Sequence, residues 1–184
     1  AAFFEANHEQ LKDNQELITD FAQYRECLSD LLQSGDRHPE ATALEIGAGS
    51  SPLVQLLSQQ YAQVTCVDNS EAMLRATRAA IKAWGLKNVD CRYADFLTID
   101  PDAQVDLLVI NMVLHHIASP SSFFEAARPW MVPEGRLLVI DLCPHDQDWA
   151  REICGDQWLG FDPSELMTWA LNAGFRSDQT AYLG

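Results

Sequence analysis

The chain has 184 residues, 47% of them hydrophobic, which suffices for one domain with a substantial core. Twelve Lys and Arg against 27 Asp and Glu give a formal net charge of -15. A field of that sign repels phosphate backbones and anionic lipid, so neither nucleic acid nor a membrane surface is an expected partner.

No stretch approaches the roughly 20 apolar residues of a membrane span, and no basic segment followed by an apolar one opens the chain. The five cysteines, Cys27, Cys66, Cys91, Cys143 and Cys154, form no CxxC pair, and their number is odd. Reduced, mostly buried thiols in a cytoplasmic protein are the expectation.

In chain order, Leu17, Ile18, Phe21, Leu28, Leu31 and Leu32 recur at helical spacing between Asn14 and Gln33, with Gly35 as a C-cap. This predicts an N-terminal helical segment over residues 1–40, leading into a domain over 41–184. After "SGDRHPE" the texture changes to short apolar runs alternating with amphipathic ones, the pattern of a mostly parallel sheet covered by helices. The strand candidates are "ATALEIG", "QVTCVDN", "VDCRYADF", "VDLLVINM" and "GRLLVIDL".

Helices are expected from Pro52 toward Gln60, from Ser70 to Trp84 closed by Gly85, and after Pro120 through Phe123, Phe124 and Ala127. Ser122 with Glu125, and Asp162 with Glu165, have the spacing of reciprocal N-terminal caps, and Pro163 suits the first helical position. "DPSELMTWALNAGF" is thus a helix ending at Gly174, and "RSDQTAYLG" a sixth strand. The fold class is α/β, a single three-layer Rossmann-like sandwich.

In such a sheet the ligand lies beyond the carboxyl ends of the strands, so the loop after the first strand, "EIGAGSSP", is the place to look. Gly47 and Gly49 permit positive φ, and the following helix offers free N–H groups to a carboxylate or phosphate. Ser51 and Pro52 read as the N-cap and first residue of that helix. A dinucleotide loop, G-x-G-x-x-G, fails because Pro52 occupies its sixth position.

Asp68 stands nineteen positions after Gly49, where an acid accepts from both ribose hydroxyls. After the third strand, Asp95 offers an acceptor for an exocyclic amine and Phe96 an apolar wall for a purine. Adenosine without a pyrophosphate fits these together.

With "LEIGAGS", "VDNSEAML", "ADF", "VLHHI" and "VPEGRLLVIDL" in order, the chain from about Leu44 to Phe175 resembles the class I S-adenosylmethionine-dependent methyltransferases. Its tail, "PHDQDWAREICGDQWLGFDPSELMTWALNAGF", resembles methyltransferase domains fused behind ArsR-type regulators. The resemblance implies that Gly47, Ala48 and Gly49 face the methionine part of S-adenosylmethionine and that Glu45 organises its ammonium. It implies Asp68 for the ribose, Asn69 and Met73 near the adenine, Asp95 for the adenine amino group and Phe96 beside the ring. Asn111 matches the position whose backbone meets the ammonium. The family most often has a third glycine where Ser51 stands, and it closes its sheet with an antiparallel hairpin whose last strand is missing here.

Several of these residues also have plain structural readings. Met73 and Phe96 suit a core, and Glu45 and Asp68 suit ordinary strand ends. Cys143, His145, Asp146 and Asp148 cluster in "CPHDQDW", but their spacing is not that of a closed zinc site and acids also suit a helix N-terminus, so no metal is expected. Trp149, Trp158 and Trp169 either line an apolar acceptor pocket or close the core.

The expected activity is in-line methyl transfer from S-adenosylmethionine to a small-molecule acceptor, leaving S-adenosylhomocysteine. Positioning is its main requirement. Where a general base is needed, His116 leads, followed by His145 and Asp146. The alternatives are a non-catalytic S-adenosylmethionine-binding regulatory domain and, behind it, a nucleotide-dependent oxidoreductase. Oligomeric state is left open, a homodimer being one option.

Overall fold

A computed structural model of the chain describes residues 3, 21–33, 38–49, 51–176 and 180–181. Helix α1 (Phe21–Gln33) leads into the alternating core of the fold: β1 (Thr42–Ile46), α2 (Leu53–Gln60), β2 (Gln63–Asp68), α3 (Glu71–Trp84), β3 (Val89–Tyr93), β4 (Val105–Asn111), α4 (Pro120–Ala127), β5 (Met131–Ile140), α5 (Trp149–Ile153) and α6 (Pro163–Asn172). All five strands pair in parallel in the order β3-β2-β1-β4-β5. The result is the three-layer Rossmann-like sandwich, with strand order reversing between β1 and β4.

Alternation along β1 sends residues to opposite faces. Ala43 joins Leu28 and Leu32 of α1 and Leu53 and Leu57 of α2 in one core. Leu44 and Ile46 join Phe123 and Phe124 of α4, Trp130 and Phe161 in the other. Arg136 of β5 donates to the Leu31 carbonyl, fastening α1 to the far side of the sheet.

Local chemistry sets the helix ends. Ser51 Oγ accepts from Leu53 N at 3.2 Å and Pro52 is already helical at φ -64, so α2 starts as the cap reading expects. Ser70 Oγ accepts from Met73 N, and Gly85 closes α3 at φ 69. Asp162 caps α6 through Ser164 N, with Pro163 at its first turn.

The Ser122–Glu125 pair does not act as a cap. Pro120 already opens α4, so both residues lie inside the helix, and Ser122 Oγ instead lies 2.8 Å from Ser119 Oγ. Strand β5 begins at Met131 rather than Gly135, because the β4–β5 register shifts between Val105 and Leu107 and lets the earlier residues pair. Strand β3 stops at Tyr93, where Asp95 folds the chain into a turn by accepting from Leu97 N.

The expected helical residues 14–20 and the Gly35 cap lie outside the described residues. So does most of the expected sixth strand; Phe175, Arg176, Thr180 and Ala181 are described and are not in a strand. Of the cysteines, Cys66 and Cys154 are buried, Cys27 and Cys91 half-buried and Cys143 exposed, all as free thiols. Among the described residues no helix is long and apolar enough to cross a membrane.

Candidate functional site

The turn after β1 sits at the strand-order reversal. Gly47 and Gly49 hold φ +66 and +50, where a side chain on L-residues is strained. A Cβ on Gly47 would meet Val113 Cγ2 at 2.7 Å, and one on Gly49 would meet Met73 Cε at 2.8 Å. The turn is thus pressed between the loop after β4 and the first turn of α3. From α3, Thr77 Oγ1 donates to the Gly49 carbonyl at 2.5 Å, and Ala48 between the glycines is buried.

Two residues before Gly47, in β1, Glu45 is 1% exposed and its Oε2 accepts no hydrogen bond. Burial pushes its pKa up to about 8. An acid so placed is ready for a cationic group that would take its proton's place.

Asn111 ends β4 and is buried. Its Oδ1 accepts from the Tyr24 hydroxyl of α1 at 3.4 Å, and its Nδ2 lies 3.5 Å from Ser51 Oγ. The residue standing in place of a third glycine therefore contacts the β4 terminus while capping α2. The next residue, Met112, holds φ 56, the one positive φ outside glycine among the described residues.

Asp68 ends β2 half-buried, and its Oδ1 accepts from Ser70 N at 2.8 Å, which aims the carboxylate along the start of α3. Asn69 and Met73 are half-buried beside it. Asp95 is exposed at the turn after β3. Phe96 is 5% exposed, with its ring 5.3 Å from Trp130 and 5.9 Å from Phe123, so its surface is largely taken by the core.

Beyond the end of β4, Leu114–His116 form one 3-10 turn. His115 Nδ1 lies 2.7 Å from Asp141 Oδ1 at the end of β5, and its Nε2 lies 3.6 Å from Asp156 Oδ1. His116 Nδ1 lies 3.5 Å from that same oxygen.

Burial pushes the His115 pKa down, but the hydrogen bond to Asp141 and the charges of Asp141 and Asp156 outweigh it and leave it raised. His116 is pulled down to about 3 by burial and by the charge of His115. A group with that pKa accepts little of a substrate's proton, since an effective base titrates near the working pH. His145 is half-buried and Asp146 exposed.

Residues 155–161 cover this cluster. Gln157 N and Trp158 N donate to the His115 carbonyl, Phe161 N donates to the Leu142 carbonyl, and Trp158 Nε1 donates to the Ile117 carbonyl at 2.9 Å. Trp169 packs on Phe124 and Phe161, a core role, whereas Trp158 stays 38% exposed at the rim.

A profile of the methyltransferase domain family matches residues 44–139, from the glycine turn through β5. The chain belongs to this family. The resemblance to class I S-adenosylmethionine-dependent methyltransferases drawn from the five sequence motifs holds, and the parallel sheet is that of the class.

An uncharacterized methyltransferase of Staphylococcus carnosus is 26% identical over 144 residues, 77% of this chain and 64% of that protein. A ubiquinone biosynthesis O-methyltransferase of Stutzerimonas stutzeri is 26% identical over 146 residues, 71% of this chain and 62% of that protein. The chain thus spans about three fifths of the length of these two curated relatives. Among solved structures, a SAM-dependent methyltransferase from Aquifex aeolicus superimposes with a TM-score of 0.72 at 20% identity, over 94% of this chain and 92% of that one.

Residues that sequence reading did not single out contribute much of this geometry. Thr77 and Tyr24 lie on helix faces that read as core, and Val113 follows a strand as one more apolar residue. Asp141 sits within the expected strand "GRLLVIDL" and Asp156 within the tail, neither with a role of its own; only the fold brings them to His115.

Proposed function

We propose that the chain binds S-adenosylmethionine across the carboxyl ends of β1, β2 and β4 and directs its methyl group to a small-molecule acceptor. The single observation that carries this reading is the buried Glu45 carboxyl group, with an oxygen that accepts no hydrogen bond, in the strand that runs into a positive-φ glycine turn at the strand-order reversal. A ligand bearing an ammonium group fits that acid, and one bearing vicinal hydroxyls fits Asp68. When bound, S-adenosylmethionine supplies an electrophilic methyl group on a sulfonium with a thioether leaving group.

The residues then have separate tasks. Gly47, Ala48 and Gly49 bring main chain close to the amino-acid part, Glu45 and the Asn111 backbone hold its ammonium, and Asp68 takes the ribose. Asn69 and Met73 flank the base, Asp95 accepts from its amino group, and Phe96 supports that end from the core. The loops after β4 and β5, roofed by residues 155–161, form the acceptor side, with His116, His145 and Asp146 along it. A methyl transfer of this kind is a displacement in which alignment and exclusion of water supply most of the acceleration. A net charge of -15 favours a neutral or cationic small acceptor over a nucleic acid.

Thermal shift tests the binding half. S-adenosylmethionine or S-adenosylhomocysteine should raise the melting temperature, and stabilisation by NAD(H) alone would sink the reading. For turnover, purified protein is incubated with metabolite extract and S-adenosylmethionine, and new methylated small molecules are sought by mass spectrometry.

A further inference from the structure

Parallel pairing sets two thiols side by side in the sheet. Cys66 of β2 is the register partner of Cys91 of β3, two residues on from the partners Val64 and Val89. All four side chains belong to one core layer, so both sulfurs lie on the same face of the sheet. Neighbouring strands run about 4.8 Å apart, within the roughly 4.4–6.8 Å between Cα atoms that a disulfide spans. Strand β3 is the sheet edge with a single neighbour, so it can move toward β2 without opening a second ladder. Both cysteines are free thiols, and among the described residues strand pairing sets no other two cysteines opposite each other.

Their surroundings differ. Cys66 is 0% exposed, whereas Cys91 is half-buried and opens on a surface cleft of about 340 Å³ that Arg78, Lys82 and Asp90 also line. The Cys66 S–H, donating to Cys91, holds the Cys91 thiol below its ordinary value; the Arg78 guanidinium adds to this, against burial and Asp90. Giving that bond, and then burial, push the Cys66 thiol up. A solvent-reachable sulfur that ionises readily, backed by a protonated one, is the arrangement of an attacking and a resolving cysteine.

We propose that Cys91 and Cys66 form a peroxide-responsive pair, in which a hydroperoxide oxidises Cys91 and Cys66 closes on it as a disulfide between β2 and β3. The Cys91 thiolate attacks one peroxide oxygen, and the O–O bond breaks. Cys91 becomes a sulfenic acid, and the hydroxide released takes up the proton that the thiol had lost. The Cys66 sulfur then attacks the Cys91 sulfur; the S–S bond forms as the S–O bond breaks, and the Cys66 proton leaves with the hydroxyl as water. The two sulfurs together lose two electrons, and the peroxide gains them. Disulfides of this kind in a reducing compartment are transient and redox-sensing, and a dithiol reverses them. Cys66 stands two residues before Asp68 and opposite Glu45 of β1, which puts the modification beside the proposed cofactor contacts. The chemistry itself stands independently of the cofactor reading.

The test treats the full chain, reduced and then freed of reductant, with one equivalent of hydrogen peroxide at neutral pH. The protein is blocked with N-ethylmaleimide, digested with trypsin without reduction and mapped by mass spectrometry. The expected product joins the peptide of residues 38–75, which holds Cys66, to that of residues 88–92, which holds Cys91. It is two hydrogens lighter than the separate peptides, and dithiothreitol parts it. Cys66→Ala should leave a sulfenic acid on Cys91 that dimedone traps, and Cys91→Ala should slow loss of the Cys66 thiol roughly tenfold or more. Oxidation confined to Cys143, a disulfide between other cysteines, or a lasting Cys91 sulfenic acid while Cys66 of the parent still takes maleimide overturns the proposal. So does loss of the Cys66 thiol at the parent's rate in Cys91→Ala. Should the variants not fold, the parent's peptide map decides alone.

Discussion

The hydroxyl of Thr77 on α3 donates to the carbonyl of Gly49 in the turn after β1, 2.5 Å away and 28 positions earlier in the chain. Both groups are buried, so the bond pins the glycine turn to the first half of α3. Thr77→Val keeps the shape and removes the donor, leaving the Gly49 carbonyl without its partner. The expected cost is about 1–3 kcal/mol of stability, the penalty for orphaning a buried acceptor. Urea denaturation measures it, and an unchanged midpoint would show that the carbonyl finds water instead.

The same turn makes a second prediction. Gly47→Ala places a methyl 2.7 Å from Val113 Cγ2 at a φ of +66, so it suffers both a clash and the strain of a left-handed L-residue, about 1–2 kcal/mol for the latter alone. Val113→Ala removes the clash and not the strain. In a double-mutant cycle, Val113→Ala should therefore recover part of the stability and cofactor affinity lost in Gly47→Ala. Additive effects would mean that the two loops yield without resisting each other.

How much of this was legible from residues alone depends on the range of each interaction. The five strands and their covering helices declare themselves through apolar periodicity, and Ser70, Gly85, Asp162 and Pro163 act on their immediate neighbours, so the sequence carries those boundaries. Ser122–Glu125 has the right spacing and the wrong place, because Pro120 starts the helix first. The short helix Trp149–Ile153 is marked in the sequence only by the acids before it, Asp146 and Asp148, which suit a helix N-terminus; five residues hold too little period to read its extent.

The site divides in the same way. Gly47, Gly49 and Asp68 stand at strand ends, which sequence marks. Tyr24 meeting Asn111 across 87 positions, or Asp156 meeting His115 and His116 across about forty, leaves no local trace.

Asp68 has a structural task and, in the proposed function, a binding one, and a single substitution must separate them. Its Oδ1 accepts from Ser70 N at 2.8 Å, an interaction that shapes the start of α3, so Asp68→Ala would disturb the helix as well as a ligand. Asp68→Asn retains an acceptor for that N–H and loses the charge offered to ribose hydroxyls. Calorimetry with S-adenosylhomocysteine should show affinity lowered about 10- to 100-fold, the loss expected for charge-assisted hydrogen bonds, with little change in melting temperature. Unaltered affinity would move the ribose away from β2.

Glu45 yields a prediction with a definite sign. Burial raises its pKa from 4.5 to about 8 in the folded chain. The folded state therefore holds a proton that the unfolded state has lost between those values, so this group's contribution to stability falls as pH rises from about 4.5 to 8, by up to about 5 kcal/mol in total. Glu45→Gln has no such proton, and the stability difference between variant and parent should grow in the variant's favour across that window. A ligand ammonium beside the carboxyl group favours its ionised form, so binding near pH 7 should expel close to one proton. Calorimetry of S-adenosylmethionine binding in buffers of different ionisation enthalpy reads that proton directly. The parent should show a buffer-dependent enthalpy and Glu45→Gln a much flatter one; equal slopes in the two would place the ammonium elsewhere.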